Sequence, residues 1–229
     1  MTCLGGGKSS FHQGTTLFLS TLLLVGSFAF SGSKGCAQET ATTTEQRSLA
    51  PIFYACKVCH GLREMQRGPI LEGLESWYLA AQLSKFRTGL RGQNPENRSE
   101  FLMGSAVSVI QSEQEVSALA HYIAQRPRPR FNPVIRGNTL RGRQLYANHC
   151  VSCHGPSGEG KPELWAPRLA DLEDWYLLDQ LRKFRNGQRG WHEQDVEGQV
   201  MAKVVQPLAV NDLRNIVAAL NDMGKPPSP

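Results

Sequence analysis

Residues 56–60 read CKVCH and residues 150–154 read CVSCH, so one five-residue pattern occurs twice in a chain of 229 residues. Two cysteines separated by two residues are found in redox-active disulfides, in zinc sites and at the attachment points of c-type haem. The histidine that follows each pair directly is part of the haem signature and of neither alternative. The pattern therefore favours two haem-binding motifs.

The chemistry of covalent haem explains the spacing. Two thiols must reach two vinyl groups on one edge of the porphyrin, and the next residue must place an imidazole under the iron. A thioredoxin-like pair would need a nearby βαβ pattern, and a four-cysteine zinc site would leave both histidines unexplained. We predict two haem c groups with iron, held by His60 and His154 and by four thioether cysteines: Cys56, Cys59, Cys150 and Cys153.

The N-terminus has the composition of a targeting segment. It contains no acidic residue before Glu39, and its apolar run LFLSTLLLVGSFAF (17–30) has the length of a signal-peptide core rather than of a membrane span. Small residues at 35–37 offer a cleavage site after Ala37. We predict a signal peptide over 1–37 and export to the periplasm, with a retained or Cys36-lipidated anchor as the alternative.

Composition excludes some classes of protein. Hydrophobic residues make up 40% of the chain, which is enough for a packed core, and the net charge is only +5. There is no basic stripe interleaved with aromatic residues, so no nucleic-acid partner is expected.

The chain also contains an internal repeat. WYLAAQLSKFRTGLRG (77–92) aligns with WYLLDQLRKFRNGQRG (175–190) at an offset of 98, and the alignment extends without a gap over 35 positions, of which 16 are identical. Each copy contains one CxxCH motif. The sequence is therefore that of a duplicated domain.

The repeat nominates two methionines as iron ligands. Met103 and Met201 occupy equivalent positions, whereas Met65 follows His60 too closely to reach the opposite face of the haem and Met223 lies near the end of the chain. A thioether sulfur opposite the histidine is a common sixth ligand of c-type haem. Packing in the core is the ordinary alternative for a methionine.

Helical periodicity predicts an all-α fold. In each copy we expect a helix that runs into CxxCH, a loop, a helix that starts near the Trp-Tyr pair, a methionine loop and a final helix. The predicted organisation is a flexible segment at 38–47, a first domain at 48–125, a Pro- and Arg-rich linker at 126–135, a second domain at 136–223 and a tail at 224–229.

Each half resembles a class I cytochrome c, and the tandem resembles the dihaem c4-type cytochromes of bacterial periplasms. The resemblance covers about residues 45–223 and depends on the CxxCH motifs, the WYL-x-x-Q-L-x-K-F-R-x-G blocks and the paired methionines. It implies that the carbonyls of Pro69 and Pro167 accept a hydrogen bond from the haem histidines. A plain turn proline is the alternative.

Two further features distinguish or connect the copies. The loop between the haem histidine and its proline is shorter in the first copy, so the two haems are expected to differ in exposure and potential. Arg91 and Arg189, in the repeated G-x-R-G, are candidate partners for haem propionates, although solvated surface arginines are the alternative.

The resemblance implies an electron-transfer protein rather than an enzyme. We expect a monomer or weak dimer that carries single electrons from a quinol-oxidising complex to a terminal oxidase or reductase. The alternative is a fixed haem c subunit of a membrane oxidase or dehydrogenase, attached through the N-terminus. A dihaem peroxidase-like enzyme is disfavoured, because two symmetric methionines would close both irons.

Overall fold

The computed structural model describes residues 38–61, 66–170 and 172–223, which form helices joined by irregular segments. Within these ranges the β structure is limited to one isolated bridge between Lys161 and Ala166, so the predicted all-α class is confirmed. None of the helices in this part of the chain is long and apolar enough to cross a membrane. The predicted signal peptide and tail lie outside the described residues.

The described residues of the first half form four α-helices. They are α1 (Gln38–His60), α2 (Ser76–Arg87), α3 (Arg98–Ala106) and α4 (Glu113–Ala124), with a 3₁₀ turn at Val107–Val109 between α3 and α4. Helix α4 packs against α1 and α2, which places the end of the CKVCH helix and the Trp-Tyr helix around one core.

The second half repeats this order with one extra break. Its helices are α5 (Thr139–His149), α6 (Val151–His154), α7 (Asp174–Arg185), α8 (Val196–Val205) and α9 (Val210–Met223), with a 3₁₀ turn at Pro162–Leu164. Helix α9 packs against α5 and α7, as α4 packs against α1 and α2. Helices α2, α3 and α4 thus correspond to α7, α8 and α9.

The two CxxCH motifs sit on differently shaped helices. In the first domain α1 continues without interruption to His60, whereas in the second domain the helix breaks at Cys150 and restarts as α6. The backbone of residues 38–47 is helical, where the sequence predicts a flexible segment. Extending an existing helix costs less than nucleating a new one, so the haem-motif helix can propagate into this segment.

The predicted helical faces form the two cores. In α4 the buried face consists of Val116, Leu119, Ala120 and Ile123, each no more than 1% exposed. In α9 the equivalent face consists of Leu213, Ile216, Val217 and Leu220. Both sets follow the i, i+3, i+4, i+7 spacing by which the sequence predicts these helices.

Helix ends also follow local sequence signals. Ser112 caps α4, since its hydroxyl accepts a hydrogen bond from the Glu115 N–H at 3.1 Å, as the capping-box pattern predicts. Gly89 and Gly187 follow α2 and α7 with positive φ angles of 77° and 72°, a conformation that glycine adopts without strain. These ends position the two G-x-R-G segments.

The Pro- and Arg-rich connector has no helix or strand between residues 126 and 138. It is nevertheless held at both ends. Arg128 donates hydrogen bonds to the Ile70 and Glu72 carbonyls in the first half. The backbone N–H groups of Val134 and Ile135 each donate to the buried carboxylate of Asp174 at 2.6 Å. These contacts fix the path of the connector across both halves.

Candidate haem sites

The four motif cysteines are free thiols placed in two pairs. Cys56 and Cys59 lie in the last turn of α1, while Cys150 immediately precedes α6 and Cys153 lies within it. In each pair the first thiol is half-buried and the second is exposed. Burial raises the pKa of Cys56, and it raises the pKa of Cys150 to about 11. This is opposite to the lowered thiol pKa of a redox-active disulfide pair.

The two cysteine pairs do not meet. Among the described residues, which include the four CxxCH cysteines, no group of three or more His, Cys, Asp or Glu side chains is arranged to hold a metal ion. A zinc site built from both CxxC pairs would need such a group. The geometry therefore agrees with two separate attachment sites.

Both motif histidines are oriented by a proline carbonyl. The Nδ1 atom of His60 lies 2.7 Å from the Pro69 carbonyl oxygen, and the Nδ1 atom of His154 lies 2.9 Å from that of Pro167. Because a carbonyl can only accept, each Nδ1 must donate, which leaves Nε2 with its lone pair available for a metal. Burial lowers the pKa of both histidines and so favours this neutral form.

The loop after the motif is tighter in the first domain. The proline follows the histidine by nine residues in the first domain and by thirteen in the second. A Cβ atom on Gly68 would collide with the imidazole ring of His60, so that position excludes any side chain. At the equivalent position before Pro167 the second domain has Ala166, which is buried.

The paired methionines lie on helices rather than on the predicted loops. Met103 is in α3 and Met201 is in α8, and each is partly buried against its own domain core. The prediction of a loop missed the helix starts that follow Asn97 and Asp195, of which Asp195 caps its helix through its side chain. The two methionines thus lie at equivalent positions of corresponding helices.

Arg91 and Arg189 meet at the contact between the domains. Each guanidinium donates hydrogen bonds to the side-chain oxygens of both Gln82 and Gln180, at 2.6 to 3.1 Å. Each also lies over a phenylalanine ring of its own domain. The arginines are 5% and 8% exposed, so they are not the solvated surface residues of the alternative interpretation.

The cluster also contains a carboxylate that sequence reasoning did not single out. Glu100 accepts a hydrogen bond from Arg91 at 2.6 Å, and both side chains are buried. Burial alone would raise the pKa of Glu100, but the adjacent Arg91 charge outweighs it and lowers the pKa to about 2. The Nε atom of Arg91 is buried and has no hydrogen-bond partner among the described residues.

Two more glutamates cross between the domains. Glu173 accepts from the Ile70 N–H at 2.6 Å, and Glu75 accepts from the Arg168 N–H at 3.1 Å. The two glutamates and Gln82 and Gln180 are identical at equivalent positions of the repeat, and that identity is the signal by which the sequence could have identified them. Hydrophobic periodicity within one domain does not identify these residues, because their hydrogen-bond partners lie in the other domain.

The comparisons with known proteins agree with this geometry. A protein-family model described as cytochrome c matches residues 50–127 and again residues 139–223. The chain belongs to the cytochrome c family. Two matched domains, each with its own CxxCH motif, mean that this cytochrome binds two covalent haem c groups with their iron.

Individual relatives are named as an electron acceptor and as c4-type cytochromes. The chain is 30% identical to a thiosulfate dehydrogenase electron acceptor of Stutzerimonas stutzeri, over 68% of this chain and 74% of the relative. It is 28% identical to cytochrome c4 of Azotobacter vinelandii, over 86% and 94% of the two chains. The structure of cytochrome c4 from Acidithiobacillus ferrooxidans superposes with a TM-score of 0.57 at 25% identity, covering 72% of this chain and 96% of that one. The similarity to c4-type cytochromes is confirmed.

The residues present fit haem c. Both thiols of each pair are unpaired and lie near an imidazole whose Nε2 is available, and the paired methionines supply a soft sulfur in each domain. The buried, unpartnered Nε of Arg91 is a donor that suits an anionic group such as a propionate. The cytochrome is thus a dihaem electron carrier.

Proposed function

We propose that each iron of this cytochrome is bound by one histidine and one methionine from the same domain. The proposed iron ligands are His60 with Met103 and His154 with Met201, and the proposed thioether residues are Cys56, Cys59, Cys150 and Cys153. Pro69 and Pro167 are proposed to fix the histidine orientation, and 48–125 and 136–223 are kept as the proposed domain limits. The observation that supports this assignment is the duplicated Nδ1-to-proline contact, which leaves an Nε2 for the iron in each domain.

Filling both axial positions with protein ligands favours electron transfer over substrate chemistry. Haem c supplies a one-electron change between Fe(II) and Fe(III). The chain holds each imidazole by a partly buried hydrogen bond and each methionine against a helical core, so little rearrangement is needed between the two states. A peroxidase-like enzyme would need an iron with an open position, which this ligand set does not provide.

Replacing each proposed methionine by alanine tests the ligand assignment. In the oxidised holoprotein, Met103→Ala and Met201→Ala should each remove about half of the long-wavelength methionine-to-iron charge-transfer band, because each variant loses one of two such bonds. In the reduced state each variant should bind carbon monoxide at one haem, while the wild type should bind none.

Met223→Ala is the matched control, because Met223 is also partly buried against the second core but is not a proposed ligand. It should leave the band and the carbon monoxide response unchanged. A double Met103→Ala, Met201→Ala variant that keeps the full band would disprove the assignment.

The proposed route takes electrons from a quinol-oxidising complex to a terminal oxidase or reductase in the periplasm. The apolar, acid-free segment 1–37 supports export. The fixed-subunit alternative predicts that the cytochrome co-purifies with a membrane complex through an uncleaved N-terminus. Mass determination of the mature N-terminus, together with fractionation of periplasm and membranes, distinguishes the two proposals.

The name of one relative supports an alternative electron donor. The Stutzerimonas protein is named as an electron acceptor of thiosulfate dehydrogenase, and this chain shares 30% identity with it. We propose a thiosulfate-oxidising enzyme as the alternative donor. Stopped-flow reduction of the oxidised cytochrome by a purified thiosulfate dehydrogenase with thiosulfate, compared with reduction by a quinol-oxidising complex with quinol, decides between them.

A further inference from the structure

The peptide group that joins Pro69 to Ile70 is hydrogen-bonded on both sides. Its carbonyl oxygen accepts from Nδ1 of His60 at 2.7 Å, and its N–H donates to the Glu173 carboxylate at 2.6 Å. One peptide therefore connects a haem-motif histidine of the first domain to a carboxylate of the second. The carboxylate is 3% exposed, so water screens it little.

The second domain contains the same chain of contacts with the partners exchanged. The carbonyl of Pro167 accepts from Nδ1 of His154 at 2.9 Å, and the N–H of the same peptide, which belongs to Arg168, donates to Glu75 of the first domain at 3.1 Å. Both glutamates immediately precede the Trp-Tyr helix of their own domain. The duplication has thus produced two reciprocal carboxylate–peptide–imidazole chains.

A carboxylate bound to a peptide N–H polarises the peptide. Electron density shifts toward the carbonyl oxygen, which becomes a stronger acceptor for the Nδ1 proton, because hydrogen bonds in series reinforce one another. A stronger hydrogen bond at Nδ1 makes the opposite nitrogen a more basic metal ligand. A more basic imidazole stabilises Fe(III) relative to Fe(II) and lowers the reduction potential.

We propose that each domain sets the potential of the other domain's haem through this chain: Glu173 lowers the potential of the haem bound by His60, and Glu75 lowers that of the haem bound by His154. Both glutamates are positioning residues, since they act through a peptide and a histidine and do not touch the iron. The proposal rests on the axial ligation proposed above.

The two chains are unequal in strength. Glu173 is bound at the shorter distance and is held in place by Gln66 at 2.7 Å and by the Trp175 indole N–H at 3.2 Å. Glu75 is only half-buried and its contact is 0.5 Å longer than that of Glu173, 3.1 against 2.6 Å. The potential of the first haem should therefore depend more on its glutamate than that of the second.

Redox titration of three glutamine variants tests the proposal. Glu173→Gln should raise the potential of the first haem and leave the second nearly unchanged, and Glu75→Gln should raise the second by a smaller amount. In the reduced, diamagnetic protein the Nδ1 proton resonance of the affected histidine should shift upfield, because its hydrogen bond weakens. The Met103→Ala and Met201→Ala spectra assign each potential to a haem.

Glu72→Gln is the control for a charge that acts only through space. Glu72 lies close enough to His60 that its charge favours the protonated imidazole more than that of Glu173 does, and its carboxylate is paired with Lys57 at 2.9 Å. If Glu72→Gln moves the first potential as far as Glu173→Gln does, or if the Nδ1 resonance stays unchanged in Glu173→Gln, the peptide-mediated effect is disproved.

If a glutamine variant instead loosened the contact between the domains, it would shift both potentials together. That result would also overturn the proposal. The charge-transfer band separates this inference from the ligand assignment. If every glutamine variant keeps the full band, the histidine and methionine ligands are intact, and a failure to shift the potential counts against the glutamates alone.

Discussion

Arg91 and Arg189 occupy equivalent positions, share the same two glutamine partners and are both buried, yet among the described residues only Arg91 forms an ion pair with a carboxylate. That carboxylate is Glu100, and its counterpart in the repeat is Gly198. The same cation is thus neutralised inside the first domain and is held by neutral amides in the second.

The glycine has a steric cause. A Cβ on Gly198 would collide with the Asp195 carboxylate, which caps α8 by accepting from the Gly198 N–H. In the first domain the equivalent residue is Asn97, whose side-chain amide donates to the Gln188 carbonyl in the other domain instead of capping α3. The first domain therefore compensates its buried arginine with Glu100, whereas the second caps its methionine helix with Asp195. The two domains differ in this way although their Trp-Tyr helices share most of their residues.

Removing the Glu100 carboxylate should change stability more than any other substitution considered for these two domains. Glu100→Gln leaves the Arg91 guanidinium buried without its counter-charge, and such a loss typically costs about 3–5 kcal/mol. We expect the free energy of unfolding of the holoprotein, measured with denaturant, to fall by that amount. The first domain would then resemble the second in having a buried arginine that is bound only by amides.

Glu113→Gln serves as the control for that experiment. Glu113 pairs with Arg87 within the same domain, but its side chain is 56% exposed, so its replacement should cost less than about 1 kcal/mol. Equal losses in the two variants would mean that the buried pair contributes no more than a surface pair.

Acid should gradually remove the stabilisation that the Glu100–Arg91 ion pair provides. The pKa of Glu100 is about 2 in the folded protein and a glutamate titrates near 4.3 when unfolded. Because the folded pKa is the lower one, the stabilisation is fully present above about pH 4.3 and is lost as the pH falls toward 2. The gap in unfolding free energy between wild type and Glu100→Gln should narrow by about 3 kcal/mol over this range. A gap that stays constant with pH would contradict the assignment of the ion pair.

The parts of the molecule that local sequence determines were predictable. CxxCH and the capping box each act over a few residues, and the structure contains the predicted cap at Ser112. The His60–Pro69 and His154–Pro167 contacts, which the resemblance implies, are also present. The apolar spacing of α4 and α9 likewise predicted their buried faces, because a helix must bury its apolar side.

The contact between the domains was not predictable in the same way. The arginines were interpreted as propionate partners or surface residues, and nothing within one copy shows that the amides of Gln82 and Gln180 approach both of them. Such contacts depend on how two folded domains dock, which hydrophobic periodicity does not describe. The propionate role of Arg91 and Arg189 stays a prediction.

Lys85 and Lys183 occupy equivalent positions of the repeat but make different contacts across the domain boundary. Lys85 crosses to the second domain, where it binds the buried Asp195 at 2.5 Å and Glu197 at 2.7 Å. Lys183 makes its ion pair within its own helix, with the half-exposed Asp179 at 2.7 Å, and among the described residues of the other domain it binds the Ser99 hydroxyl. The first lysine therefore links the domains by an ion pair, and the second links them by a hydrogen bond to an uncharged hydroxyl.

Replacing each lysine by methionine should have the smallest effect on stability, but the two variants should differ in how firmly the domains are held together. Lys85→Met leaves the Asp195 carboxylate, which is 4% exposed, without its cation and should cost about 1–3 kcal/mol of unfolding free energy. Lys183→Met loses an intrahelical pair whose Asp179 carboxylate stays half-exposed to water, and it should cost less than about 1 kcal/mol. Hydrogen exchange at the Ile70 amide, which is bound to Glu173 of the other domain, should accelerate more in Lys85→Met, because only that variant removes a charged link between domains. An equal or larger acceleration in Lys183→Met would show that the hydrogen bond to Ser99, and not the ion pair of Lys85, holds the domains together.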